Sequence, residues 1–256
     1  MILLKSPEEL SVMRKASRIV AEILIELRKT VASGMTTDEL DALAERLTLE
    51  AGARPAFKGY RPRGVTYPKT LCVSINEEIV HGIPSGRKIK SGDIVSLDFG
   101  VVYDGFFGDA AVTVAVGKVS NRALKLMEVT RNSLYAAIEQ ARVGNRMSDI
   151  SCAVQKTAES AGFSVVEDFA GHGIGRSLHE DPQVPNYFAR GMPNPRLQAG
   201  MVLAIEPMVN EGTPRLKILN DGWTAVTGDG KLSAHFEHSV AITAEGPQIL
   251  SELGNV

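Results

Sequence analysis

The chain repeats itself. Gly34 and Gly144, Leu40 and Ile150, and Gly52 and Gly162 are each 110 residues apart. Around them the same pattern recurs, a long apolar-striped helix and then a shorter one, each closed by glycine. Ser6 caps the first helix, Pro7 takes its first position and Glu9 completes a capping box. The stripe Leu10, Met13, Ile19, Val20, Ile23, Leu24 and Leu27 predicts that this helix continues to Gly34. Thr36 and Glu39 open the second helix, which buries Leu40, Leu43, Ala44 and Leu47 and closes near Gly52. The copy runs as a helix over Arg122–Val143, ended by Gly144, and a shorter one from about Ser148 to Gly162. Two fused units of about residues 6–117 and 121–246 follow, within one domain spanning 1–256; chance similarity of two helix-pair and hairpin units is the competing reading.

Strands follow the first helix pair over Thr70–Ile75 and Ile79–His81, and then comes a β-hairpin. Ile94–Val102 and the segment from Phe106 flank the turn Tyr103-Asp104-Gly105. Val95, Leu97, Phe99 and Val101 share one face, and Asp98 lies on the other between Ser96 and Gly100. Asp109 enters the return strand just before Ala110-Ala111-Val112. The second unit repeats this. Lys90–Asp98 matches Gln198–Glu206 at an offset of 108, a glycine followed by an apolar strand that ends on a carboxylate. The return through Ser233–Ile242 puts Glu237 in the place of Asp109. A wet edge hairpin is the bland explanation of any one such carboxylate. Four from paired strands, converging at the centre of one sheet, repel each other and cost several kcal/mol each by rough estimate unless a cation sits among them. That arrangement suits a two-metal site.

All five histidines lie in the same stretches. His172 is flanked by Gly171 and Gly173, which let backbone and metal approach closely. Its imidazole suits Zn, Fe, Co or Mn. His81 ends a strand at a Gly-Ile-Pro turn and is placed like a substrate-facing group. His235 and His238 flank Glu237 and read as framework or as support for the ligands, because alternation sends neighbours to opposite faces.

Composition closes other routes. A net charge of -2 without a basic run argues against a dedicated nucleic-acid binder. Two cysteines, Cys72 and Cys152, make neither a disulfide framework nor a cysteine zinc site. The N-terminus shows no signal-peptide pattern, and no apolar run approaches the roughly 20 residues of a membrane helix, so a soluble cytoplasmic protein is expected.

Taken together, Phe169, the run Gly171–Gly175, His179, Val184, Asn186 and Tyr187 resemble the signature of type I methionine aminopeptidases. So do the order Asp98, Asp109, His172, Glu206, Glu237 and the segments Asn76–Pro84 and Asp221–Ala225. The resemblance spans essentially the whole chain. It implies an α+β "pita-bread" fold, two αβ halves related by a pseudo-twofold around a central antiparallel sheet. It implies hydrolysis that removes the initiator methionine of nascent chains when the second residue is small. Two divalent ions (Co, Mn, Fe or Zn) held by Asp98, Asp109, His172, Glu206 and Glu237, with Asp109 and Glu237 bridging, would activate the attacking hydroxide. His179 would steady the developing oxyanion, His81 would contact the departing amide nitrogen, and Glu206 would also carry the proton. By the same resemblance Tyr67, Cys72, Leu178 and Trp223 line the methionine pocket; for Cys72, an ordinary buried cysteine is an equal reading. Other family members carry Phe at the place of Leu178, and extra Cys and Tyr at the places of Arg61 and Gly64. A monomer that meets the ribosome, without membrane or nucleic-acid binding, is the implied setting. The alternatives are an X-Pro dipeptidase or aminopeptidase P of the same fold, and a non-catalytic relative that binds ribosomes or nucleic acid.

Overall fold

The computed structural model describes residues 1–62 and 64–252 of the 256. The first unit comprises α1 (Pro7–Thr30), α2 (Thr37–Glu50), β1 (Arg54–Pro55), β2 (Leu71–Ile75), β3 (Glu78–Val80), β4 (Ile94–Tyr103) and β5 (Phe106–Ala115). The second opens with α3 (Asn121–Gln140) and α4 (Met147–Ser160), then β6 (Ser164–Val165), β7 (Ala170–Gly173), β8 (Glu180–Pro185) and β9 (Val202–Ile205). It closes with β10 (Met208–Asn210), β11 (Leu216–Ile218), β12 (Ala225–Thr227), β13 (Ser233–His235), β14 (Glu237–Thr243) and β15 (Gly246–Ile249). No described helix is long and apolar enough to cross a membrane.

Both capping boxes expected in the first unit are formed, Ser6 with Glu9 and Thr36 with Glu39. The glycines do not end the helices where the pattern suggested. α1 stops at Thr30 and α3 at Gln140, and Gly34 and Gly144 sit in the following turns at φ +95 and +94. Each of those turns is drawn off the helix axis by a later segment. Gly34 N–H donates to Ile89 O (2.8 Å) and Gly144 N–H to Leu197 O (3.2 Å). Ile89 and Leu197 then donate back to Met35 O and Asn145 O, both at 2.8 Å. The same exchange in both units is the repeat expressed in hydrogen bonds.

A nine-stranded sheet forms the centre, in the order β1-β4-β5-β14-β9-β7-β8, with β2 also on β4 and β15 also on β14. Its pairings are antiparallel throughout. The two units meet at β5 and β14, where Ala111 faces Glu237 and Ala110 faces His238. One face carries the core: Leu71, Val73, Leu97, Phe99, Val112, Leu203 and Val240 are buried there with the apolar stripes of the helices. Burying such side chains contributes about 1.5–3 kcal/mol each.

α1 lies against β4 and β5 so closely that Gly108 has no room for a side chain. A Cβ there would stand 2.7 Å from the backbone of Ala16 and Ser17. Gly108→Ala should therefore destabilise the protein by about 2–3 kcal/mol, read from urea unfolding, whereas Gly86→Ala, where a Cβ meets nothing within 4 Å, should change it little.

Candidate metal centre

Strand alternation fixes the site before any side-chain contact is considered. Cys72 faces Asp98, Asp98 faces Ala111, and Ala111 faces Glu237, one row across four strands. In the neighbouring row Ser239 faces Ala204, Ala204 faces His172, and His172 faces Gln183. Asp109 is two residues from Ala111, and Glu206 two from Ala204, so all five predicted donors project from the face opposite the core. Between them stand Ala111, Ala204 and Ser239, small enough to leave the space open.

The ladder corrects one equivalence. Ile205 faces His238, so Glu206, one step on, comes opposite Glu237 as Asp98 comes opposite Ala111. With Asp98 and Glu206 as counterparts, Glu237 matches Ala111 and not Asp109. The units are out of step by two residues, a full pleat period, so the carboxylate still reaches the same face. The break between β13 and β14 at Phe236, whose N–H donates to Pro207 O, accommodates the shift.

The donors form the floor of a cavity of about 580 Å³. Donor atoms of Asp109, His172 and Glu237 lie within 4.8 Å of one another, all three buried. Asp98 and Glu206 fall outside that triple but line the same cavity. His172 Nδ1 is 2.9 Å from Gly173 O. A carbonyl only accepts, so Nδ1 carries the proton and the Nε2 lone pair is left to face Glu206 Oε1 at 3.6 Å. Burial lowers the His172 pKa to about 3 and keeps the ring neutral, as a ligand must be. Burial also raises Asp98 to about 7 and Glu206 to about 8. Asp109 and Glu237 are driven well up, first by burial and then by the neighbouring carboxylates. Asp109 Oδ1 and Glu237 Oε1 are buried without a hydrogen-bond partner among the described residues. Oxygen donors with one imidazole, packed this tightly and left unpaired, fit a divalent cation.

The other predicted residues stand around this floor. Tyr67, Cys72 and Leu178 make one buried apolar cluster, with Trp223 and Tyr60 packed on it. Tyr67 is fixed by its hydroxyl, whose single proton is shared between Leu71 O and Gly82 O at 3.0 and 3.1 Å. His81, at φ 61, presents its ring edge-on to Phe169 and Trp223 at 5.3 and 6.0 Å. The His179 ring lies 4.1 Å from that of His172. His235 is buried with Nε2 3.5 Å from Glu206 Oε2. His238 points elsewhere, with Nδ1 3.0 Å from Ser251 Oγ and its ring against Tyr135.

Comparison with known proteins shows the family. A model of metallopeptidase family M24 matches residues 11–244. The chain belongs to metallopeptidase family M24. A methionine aminopeptidase of Clostridium perfringens is 52% identical over 251 residues, covering 98% of this chain and 99% of that one. Methionine aminopeptidase 1 of Bacillus subtilis is 51% identical over 99% of this chain and all of its own. The crystal structure of a methionine aminopeptidase from Thermotoga maritima superposes with a TM-score of 0.94 at 48% identity, over 98% of this chain and 100% of that one. Prolidase from Pyrococcus furiosus shares the fold, with a TM-score of 0.77 at 23% identity over 98% of this chain and 66% of its own. The pita-bread fold and metal-dependent peptidase chemistry of M24 are thus those of this chain.

Two features of this M24 site gave no signal in the sequence reading. Tyr60 stacks on His179 and sets its hydroxyl 2.6 Å from Nδ1, fixing the ring. The loop that carries Leu178 and His179 is itself held by a nearly dry ion pair. Lys5 Nζ lies 2.6 Å from Glu180 Oε2, with only 4% and 8% of the two side chains exposed. Glu180 Oε1 accepts N–H bonds from Arg176 (2.7 Å) and Ser177 (3.1 Å).

Two outcomes follow from this geometry. Lys5→Met leaves the Glu180 charge buried and unpaired, so stability should fall by about 3–5 kcal/mol in denaturant unfolding. Saturating Mn(II) or Co(II) at about 100 times its Kd should stabilise metal-stripped protein by about 2.7 kcal/mol. Asp109→Asn and Glu237→Gln should lose most of that thermal shift without melting lower than the wild type when stripped; a full shift in either would remove that residue from the donor set.

Proposed function

We propose that the chain is a methionyl aminopeptidase, one catalytic domain built from units of about residues 6–117 and 121–246, that removes the initiator methionine of nascent chains with a small second residue. One observation carries the reading: a buried carboxylate–imidazole cluster adjoins an apolar pocket of Tyr67, Cys72, Leu178 and Trp223. That pocket matches a methionine side chain in chemistry, and Cys72 is a small, soft wall for a thioether. The surrounding carboxylates favour a substrate that brings a free α-ammonium group, as an N-terminal residue does. Half-identity over nearly the full length to proteins named methionine aminopeptidase supports the same substrate.

Asp98, Asp109, His172, Glu206 and Glu237 would hold two divalent ions from among Co, Mn, Fe and Zn. When bound, such ions supply Lewis acidity and make water nucleophilic at neutral pH. The chain's own groups do the rest. The apolar pocket seats the methionine side chain and so fixes which peptide bond lies over the carboxylates. With Tyr60 donating to Nδ1, His179 keeps its proton on Nε2 and can donate it to the carbonyl oxygen as charge develops there. His81 hydrogen-bonds the amide nitrogen of the departing chain. Glu206 takes a proton from the attacking water and delivers it to that nitrogen. The reading places the protein in the cytoplasm, as a monomer that meets nascent chains at or near the ribosome.

Metal-stripped protein resupplied with each ion should release methionine from Met-Ala-Ser and far more slowly from Met-Lys-Ser. Cleavage of Ala-Pro or Met-Pro in its place would assign the X-Pro reaction. Glu206→Gln and His179→Ala should each lower kcat by about a hundredfold or more while the fold, checked by circular dichroism, persists. His235→Asn should do far less. Near-normal turnover in either of the first two would remove the role given to that residue.

A further inference from the structure

The donor cluster divides the open face of the sheet into two arms. Along the order β2-β4-β5-β14-β9-β7-β8 the apolar pocket lies at the β2 end, where Cys72 stands beside Asp98. At the other end His172 of β7 faces Gln183 of β8, the sheet's outer strand. Val184 turns into the core, and Gln183 and Pro185 turn to the cavity. The Gln183 side chain is exposed there, and its amide has no hydrogen-bond partner among the described residues. So one strand spacing past the donors, about 5 Å, a free primary amide stands over the floor of the cleft.

We propose that Gln183 binds the main chain of the substrate after its small second residue. The inference rests on the aminopeptidase reading and extends it to a longer substrate. A peptide with its first side chain at the Cys72 end and its first peptide bond over the donors leaves along the opposite arm. An extended chain advances about 3.3 Å per residue and strands are about 5 Å apart, so a peptide leaving along this arm reaches the end of the Gln183 side chain on β8 within a few residues of its second. A primary amide offers both a donor and an acceptor, the complement of a peptide group's C=O and N–H. It is uncharged, so it holds the main chain without selecting the side chain. That is what an enzyme acting on many different nascent chains requires of this position.

The test compares Met-Ala amide with Met-Ala-Ser-Gly amide on the metal-loaded enzyme. Wild-type protein should show the lower KM for the longer peptide. Gln183→Leu, close in size and without hydrogen-bonding atoms, should raise KM for the longer peptide by about tenfold, the loss of one or two hydrogen bonds. It should leave kcat, and KM for Met-Ala amide, within about twofold. Gln183→Ala should reproduce the split. A variant that treats both peptides as the wild type does, or that impairs both equally, overturns the proposal and leaves the aminopeptidase reading standing. Failure of the wild-type enzyme to release methionine from either peptide overturns that reading, and the proposal with it.

Discussion

Repulsion among buried carboxylates is the interaction on which this architecture depends. Four acidic side chains share one face at the centre of the sheet, and Asp109 and Glu237 are shut away from water with unpaired oxygens. A chain left to lower its own energy would let them move apart. They are held because the opposite face of the same strands is locked into the main core through Leu97, Phe99, Val112 and Leu203, with α1 pressed onto Gly108 behind them. Stability is concentrated on one side of the sheet and chemistry on the other. Strand alternation keeps the two requirements apart with no residue asked to meet both.

The two units do not contribute alike. The first supplies Asp98, Asp109, Tyr67 and Cys72; the second supplies His172, Glu206, Glu237 and the segment with Leu178 and His179. That segment crosses to the first unit, where Leu178 packs with Tyr67 and Cys72 and Gly175 O accepts the N–H of Phe107 at 2.8 Å. Lys5, from the start of the chain, reaches the same segment through Glu180. The cavity is therefore complete only when distant parts of the sequence are assembled. The geometry of His179 reports on that assembly as much as on its immediate neighbours.

Much of this was legible in the sequence because it is periodic or local. Capping boxes at Ser6 and Thr36, the alternation around Asp98 and the doubled glycine-strand-carboxylate run are written within a few residues of one another. Helix ends were not, since Gly34 and Gly144 are placed by bonds to Ile89 and Leu197, far along the chain. The two-residue slip that matches Glu237 with Ala111 was hidden for a related reason. Sequence spacing counts residues, whereas the ladder counts pairs, and the break at Phe236 makes the counts differ. Tyr60 and the Lys5–Glu180 pair were invisible because an ordinary tyrosine and two ordinary charges gain their roles only from contacts across 119 and 175 residues.

The register also shows how the two units differ at corresponding positions. Ser96 and Ala204 are counterparts at the offset of 108; the first faces Ser74 and the second faces His172. Cys72, opposite Asp98, has its counterpart two residues before His172, at Ala170. Two identical subunits around a twofold axis would have to place the same residue at both members of each pair, giving two imidazoles or none, and two thiols or none. Within one polypeptide the pairs are free to diverge. Corresponding positions thus carry an imidazole on one side of the carboxylate cluster and a thiol on the other, and a framework of two like halves acquires a direction.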